Sequence, residues 1–286
     1  MNLMKYKLWY FVFSLLIILP GLYFLITSGL KLGIDFTGGA LLEYKFERSI
    51  NPDDLKKYGQ VTPLSNNSYI IRSKPLEQDQ INDIKKSLTE KFGIVTERRV
   101  ENVGPVIGNE FKNKALIALL LASLVIVLYI AFSFRKIPKP ASSWRFGIAA
   151  IVALLHDVLL VVGVFAALGK FSGVEVDTLF VTAILTVIGF SVHDTIVVFD
   201  RIRENLTKHI GKKFIDVANL SVVQTLGRSL NTSLTVVFVL VALLLFGGET
   251  IRWFVVALLV GIISGTYSSI FNATALLVWW EEKLGH

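Results

Sequence analysis

Apolar residues gather along this chain into six long runs separated by polar stretches. The runs are Leu8–Thr27, Ala115–Phe134, Phe146–Leu168, Leu179–Phe199, a stretch from about Val222 to Phe246, and Phe254–Trp280. Each comes near the ~20 residues that a helix needs to cross a bilayer, so the pattern predicts six transmembrane helices. The interval between the first two has other periods. Residues 39–46, GALLEYKF, alternate Leu41, Glu43 and Lys45 against Leu42, Tyr44 and Phe46, as a strand does. Asn51 can cap a short helix with Pro52 at its first position, running through Asp53–Tyr58. Ser68–Arg72 reads as a strand after the Asn66–Asn67 turn. Glu77–Phe92 reads as a helix with Ile81, Ile84, Leu88 and Phe92 on one face and Gly93 as its stop. Val95–Val103 alternates again. The order β-α-β-α-β predicts a small α+β, ferredoxin-like sheet with helices on one face.

The expected architecture is therefore a polytopic α-helical membrane protein. It has a first transmembrane helix in residues 1–29, a small α+β domain in residues 30–112, and transmembrane helices 2–6 in residues 113–286. About 80 residues hold only a modest core, and anchoring at both ends supports it. The first run is longer than the apolar core of a cleaved signal peptide, which favours a retained anchor.

Composition agrees, with 53% hydrophobic and 18% charged residues. The net charge of +7 is unevenly placed, because residues 30–110 hold twelve Lys/Arg and twelve Asp/Glu. The surplus sits beside the spans. Lys5 and Lys7 precede the first. Arg135, Lys136, Lys139 and Arg145 lie between the second and third, and Arg201, Arg203, Lys208, Lys212 and Lys213 between the fourth and fifth. The alternate loops carry only Lys170 and Arg252. The positive-inside rule puts both termini in the cytoplasm and residues 30–112 outside. Topology accounts for the basic excess, with membrane lipid as a minor partner and no need of nucleic acid. The absence of cysteine excludes disulfides and thiolate metal sites.

Polar groups inside the apolar runs are the candidate chemistry. His156–Asp157 falls near the middle of span three, on a face with Ala149, Ala150 and Ala153. His193–Asp194 falls in the cytoplasmic half of span four, on a face with Ala183, Thr186, Val187 and Ser191. An ionisable residue inside a span costs at least ~2.5–3.5 kcal/mol, so it faces other helices or water. Span five opens with a stripe of Arg228, Asn231, Thr232 and Thr235. The fourth and fifth spans are antiparallel, which puts Arg228 and Asp194 at similar depth. An Asp facing an Arg stays ionised, and one left by its Arg tends to take a proton, which could couple a proton relay to helix movement. Spacing alone equally allows a permanent ion pair with Arg228 snorkelling. Gly261, Gly265 and Ser269 form a small-residue ridge for helix packing in span six. Gly211–Leu226 could lie amphipathically in the interface before span five.

No enzyme signature competes. There is no HExxH, no GxSxG elbow and no phosphate loop, and GIDFTGG at 33–39 lacks the Lys–Ser/Thr of a phosphate cradle. GFSVHD lacks the glycine–aspartate signature of intramembrane aspartyl proteases. Asp35 and Glu43 read as solvated or capping residues. Neither a metal nor a cofactor is expected.

Five segments together carry a resemblance. They are GIDFTGG at 33–39 (Gly33, Asp35, Phe36, Thr37, Gly38 and Gly39), VGPVIGNEF at 103–111, ALLHDVLLVVGVFAALG at 153–169, GFSVHDTIVVFDRIREN at 189–205 and RSLNTSLT at 228–235. In this order, against six spans, the chain resembles the SecF branch of the SecD/SecF protein-export family in the RND superfamily. The resemblance covers nearly the whole chain. It implies pairing with SecD into a twelve-span unit of the cell's inner membrane. That unit assists the SecYEG translocon, drawing secreted preprotein chains outward with the proton-motive force. The family's functional Asp corresponds to Asp194 and its functional Arg to Arg228, near the SecD interface. His193 departs from the Asn of many relatives. The competing classes are an RND-type exporter of small molecules or lipids, which would need a pocket in a larger external domain, and a non-transporting membrane scaffold.

Overall fold

In the computed structural model, residues 2–64, 66–135, 137–138 and 141–283 are described. Lys136 and Lys139, counted above in a basic loop, lie outside the described residues. The chain divides into two units, Leu32–Ile117 and Met1–Lys31 with Ala118–His286.

The first helix, α1 (Lys7–Ser28), is followed by a single turn, α2 (Ile34–Thr37), and by strand β1 (Gly39–Phe46). The Asn51 side chain caps the next segment by accepting from the Asp53 amide at 3.1 Å, with Pro52 at its start. The segment, Pro52–Tyr58, winds as a 3-10 helix. Strands β2 (Gln60–Pro63) and β3 (Ser68–Ser73) follow, then α3 (Gln78–Phe92) and β4 (Val95–Val103). A reciprocal capping box starts α3, with the Glu77 amide donating to the Gln80 side chain at 2.8 Å. The sheet order is β2-β3-β1-β4 with every neighbouring pair antiparallel. This is the β-α-β-β-α-β arrangement of ferredoxin-like folds. The expected fold is present with one strand more than the pattern showed. Strand β2 has four residues and ends in proline, the signature of an edge rather than a central strand. Leu42, Tyr44 and Phe46 of β1 meet Ile71, Leu55, Ile81 and Leu88 in one buried cluster. The strand alternation thus sets the core face.

In the other unit the long helices are α4 (Pro105–Ser133), which begins in the smaller unit, α5 (Ser143–Ser172), α6 (Thr178–Lys208) and α7 (Phe214–Phe246). The sixth crossing is α8 (Arg252–Tyr267), a π-helical stretch Ser268–Asn272 and α9 (Ala273–Lys283). Six helices among the described residues are long and apolar enough to cross a membrane. The interfacial segment expected at Gly211–Leu226 is not a separate element. From Phe214 onward it is the first turns of α7, where Phe214, Val217 and Val222 are buried.

Helices α5, α6 and α8 pack together with α1 and α7 against them. Glycines set the contacts. A Cβ on Gly21 of α1 would stand 2.9 Å from the Gly163 backbone of α5. A Cβ on Gly261 of α8 would stand 2.1 Å from the Val187 side chain of α6, and one on Gly265 3.1 Å from Ser191. Such close backbone approach is how helices associate where no hydrophobic effect drives them.

Candidate functional site

Asp157 of α5 is fully buried. Its Oδ2 accepts from the hydroxyls of Ser191 on α6 at 2.5 Å and Ser268 of the π-helical stretch at 2.6 Å. Its Oδ1 accepts from Ser264 of α8 at 2.9 Å and meets His156 Nδ1 at 2.9 Å. One carboxylate therefore ties three helices. Burying it without such partners would cost far more than the bonds return. The faces read from the sequence hold here: Ala149, Ala150 and Ala153 are buried with Asp157.

Asp194 of α6 is equally buried and far less tightly held. The hydroxyl of Ser233 on α7 stands 3.5 Å from its Oδ2 and bonds in turn to Thr266 of α8 at 2.6 Å. His193 Nδ1 lies 3.7 Å from Asp194 Oδ1, and its side chain is 59% exposed. Of the small or polar face expected around Asp194, Ala183, Val187 and Ser191 are buried. Thr186 is exposed and donates to the Thr182 carbonyl at 2.8 Å.

Two hydroxyls link α6 to the π-helical stretch beside these carboxylates. Thr195, next to Asp194, donates to Ser269 Oγ at 2.8 Å, and Ser269 donates to the Ser191 carbonyl at 2.9 Å. Asn272 donates to Ser14 of α1 at 2.6 Å. The π-helical stretch thus supplies Ser268, Ser269 and Asn272 to three different helices. π-turns of this kind occur mostly as single interruptions at functional sites.

Arg228 is not brought to Asp194. Its side chain is exposed and forms no ion pair or side-chain hydrogen bond among the described residues. The α7 residue that reaches Asp194 is Ser233, five residues on. Arg228 is displaced by ~7.5 Å along the helix and turned away from the bundle. That offset is between one and two helical turns. Asn231, Thr232 and Thr235 are exposed with it, so the polar stripe of α7 faces out of this chain.

The glycine motif has its own partner. In Gly33–Gly39, φ is 73° at Gly38 and 135° at Gly39, values that side chains disfavour. A Cβ on Gly108 would stand 2.8 Å from the Gly38 nitrogen, and one on Gly38 2.9 Å from Pro105 Cα. The segments at 33–39 and 103–111 are therefore two sides of one tight contact. Asp35 sits in the first turn of α2 and Glu43 is partly exposed on β1. Sequence reasoning missed Ser264 and Thr266, which hydropathy treats as neutral, and placed Ser268 and Asn272 only beside the small-residue ridge of span six. It also missed the ion pair of Arg145 with fully buried Glu281 at 2.6 Å, which lay at the ends of two runs. No group of three or more His, Asp or Glu is placed to hold a metal among the described residues.

The family model "Protein export membrane protein SecD/SecF, C-terminal" matches residues 83–283, and "SecD/SecF GG Motif" matches residues 23–50. The protein translocase subunit SecF of Thermobaculum terrenum is 47% identical across 99% of this chain and 94% of its own length. SecDF of Bacillus subtilis is 34% identical over 96% of this chain, which spans 37% of that protein. The crystal structure of SecDF, a translocon-associated membrane protein from Thermus thermophilus, superposes with a TM-score of 0.86 at 32% identity. It covers 99% of this chain, which spans 39% of the solved one. With its six apolar helices, ferredoxin-like sheet and paired glycine segments, the chain belongs to the SecD/SecF family of protein export membrane proteins and is a multi-pass member of it.

Proposed function

We propose that the protein is the SecF subunit of a SecDF complex, with SecD as its partner. The complex assists SecYEG-mediated secretion of preprotein chains by spending the proton-motive force. In this reading it sits in the inner membrane with both termini cytoplasmic and residues 30–112 outside as one domain. It acts as a translocase subunit rather than an enzyme. Relatives in which SecD and SecF are joined in one SecDF chain support the partnership.

Asp194 is the proton-carrying carboxylate and Arg228 its cationic counterpart. The observation that carries this is the contrast between the two buried aspartates. Asp157 accepts three serine hydroxyls at 2.5–2.9 Å, with His156 at 2.9 Å, whereas around Asp194 Ser233 stands at 3.5 Å and His193 at 3.7 Å, with Thr266 beside them. A carboxylate held so loosely can gain and lose a proton with little rearrangement. The exposed stripe of Arg228, Asn231, Thr232 and Thr235 cannot rest against hydrocarbon. SecD covering it would hold Arg228 at low dielectric, and a rotation of α7 would then bring it toward Asp194. There the proton on Asp194 decides whether the two attract, and hence how α6 and α7 sit.

Asp194→Asn in vesicles carrying the SecD pair tests this. The expected result is loss of gradient-dependent export and of proton flux with SecD still co-purifying. Unchanged gradient-dependent export would sink the reading. Loss of co-purification instead would make the Asp194 region an assembly contact.

A further inference from the structure

Asp157 has a neighbour whose chemistry is unused. His156 Nδ1 stands 2.9 Å from Asp157 Oδ1, while its Nε2 is buried with no hydrogen-bond partner among the described residues. Asp157 accepts hydroxyl hydrogens from Ser191, Ser264 and Ser268, so it behaves as an acceptor on both oxygens. An acceptor-only carboxylate is the ionised form. It then requires His156 to present Nδ1–H, which leaves a bare lone pair on Nε2 in the neutral ring. Ser, His and Asp triads use the same logic, in which a buried Asp sets the tautomer and the far ring nitrogen becomes the base.

We propose that His156 is a second proton-accepting side chain of the membrane bundle, taking its proton at Nε2, with Asp157 as its positioning residue. The inference rests on the proton-coupled reading above and adds a site that Asp194 and Arg228 do not include. A proton arriving at Nε2 turns the ring into an imidazolium already paired with Asp157, with no bond broken. The serines that hold Asp157 belong to α6, α8 and the π-helical stretch, so the pair's charge acts directly on three elements. His193 and Asp194, two and three residues from Ser191, are the ionisable groups of α6 in this region. Within the bilayer α1 carries no charged residue between Lys7 and Lys31, and α8 carries none after Arg252. In α9, Glu281 and Glu282 pair with Arg145 and Lys7, leaving Lys283 at the helix end.

The test is nitrogen-15 NMR of the full chain, histidine-labelled in lipid nanodiscs, with the four histidines assigned by single His→Gln variants. His156 of the unsubstituted protein is expected as the Nδ1–H tautomer at neutral pH, adding a proton at Nε2 on acidification. Asp157→Asn should raise the ratio of the Nε2–H to the Nδ1–H form about tenfold or more, because a charge-assisted bond is lost. A purely structural Asp157 would leave that ratio unmoved. An Nε2–H tautomer in the unsubstituted protein overturns the proposal by itself, so loss of folding in the variant leaves the test intact. An unchanged ratio in Asp157→Asn also overturns it. In vesicles, His156→Gln should lower gradient-driven export while SecD still co-purifies. Normal export by His156→Gln sinks this inference alone, whereas normal export by Asp194→Asn sinks the coupling reading it rests on.

Discussion

Two aspartates of one bundle differ at the residue scale by the company they keep. Serines from three elements bond Asp157 at 2.5–2.9 Å, while the neighbours of Asp194, Ser233 and His193, stand at 3.5 and 3.7 Å. Identical side chains at similar burial therefore sit in different hydrogen-bond surroundings. Outside the spans, Tyr44 offers a separate check on packing. Its hydroxyl is buried without a partner among the described residues. Burial pushes its pKa up to about 12 from the usual 10, with Glu97 adding to the rise. Below pH ~10 the phenol is neutral folded and unfolded, so it contributes no pH dependence. Above that the unfolded chain ionises first, and stability falls by about 2–3 kcal/mol until pH ~12. Tyr44→Phe should be neutral or stabilising at pH 7, since it removes an unpaired buried hydroxyl. It should also flatten the alkaline decline. Limited proteolysis of the Leu32–Ile117 unit in the intact protein across that pH range measures both.

Glycines decide how closely elements approach. Gly261 lies on Val187, where a Cβ would meet the side chain at 2.1 Å, whereas Gly189 of α6 has open space around its Cα. Gly261→Leu should therefore force α8 away from α6 and destabilise the bundle by about 1–3 kcal/mol or more. Gly189→Ala should stabilise it by up to about 1 kcal/mol through helix propensity. Thermal unfolding in detergent compares the two, and similar shifts would refute the packing account. Gly108→Ala should likewise strain the contact with the Gly38 backbone, seen as faster proteolysis near residues 33–39. The ridge of Gly261, Gly265 and Ser269 was legible as four-residue spacing. Its partner was not, because spacing on one helix says nothing about which neighbour it meets.

For the whole molecule, the windows of α1 and α4 are only 6% buried within the chain, against 50% and 61% for the fourth and sixth crossings. Apolar flanks of this kind suit lipid or another subunit, whereas the polar stripe of α7 suits only a subunit or a water-filled path. The proposed orientation, with both termini cytoplasmic, follows the charge asymmetry and can be tested directly. The chain has no cysteine, so single cysteines report topology without background. Asn67→Cys in sealed cells should react with a membrane-impermeant maleimide, and Lys212→Cys only after permeabilisation. The reverse pattern would invert the topology.

The sequence alone determined the six crossings, their charge bias, the small α+β domain and which ionisable residues lie within the spans. Each is written in local terms: run length, period, and ionisable residues where hydrocarbon tolerates few. Strand β2 and the π-helical stretch escaped because four residues ending in Pro63, and a run of serines, leave no period to read. Only tertiary structure decided that Ser233 rather than Arg228 reaches Asp194, that three serines enclose Asp157, and that residues 33–39 pack on 103–111. Those pairings depend on helix rotation and axial offset, where a shift of five residues moves a side chain ~7.5 Å and onto another face.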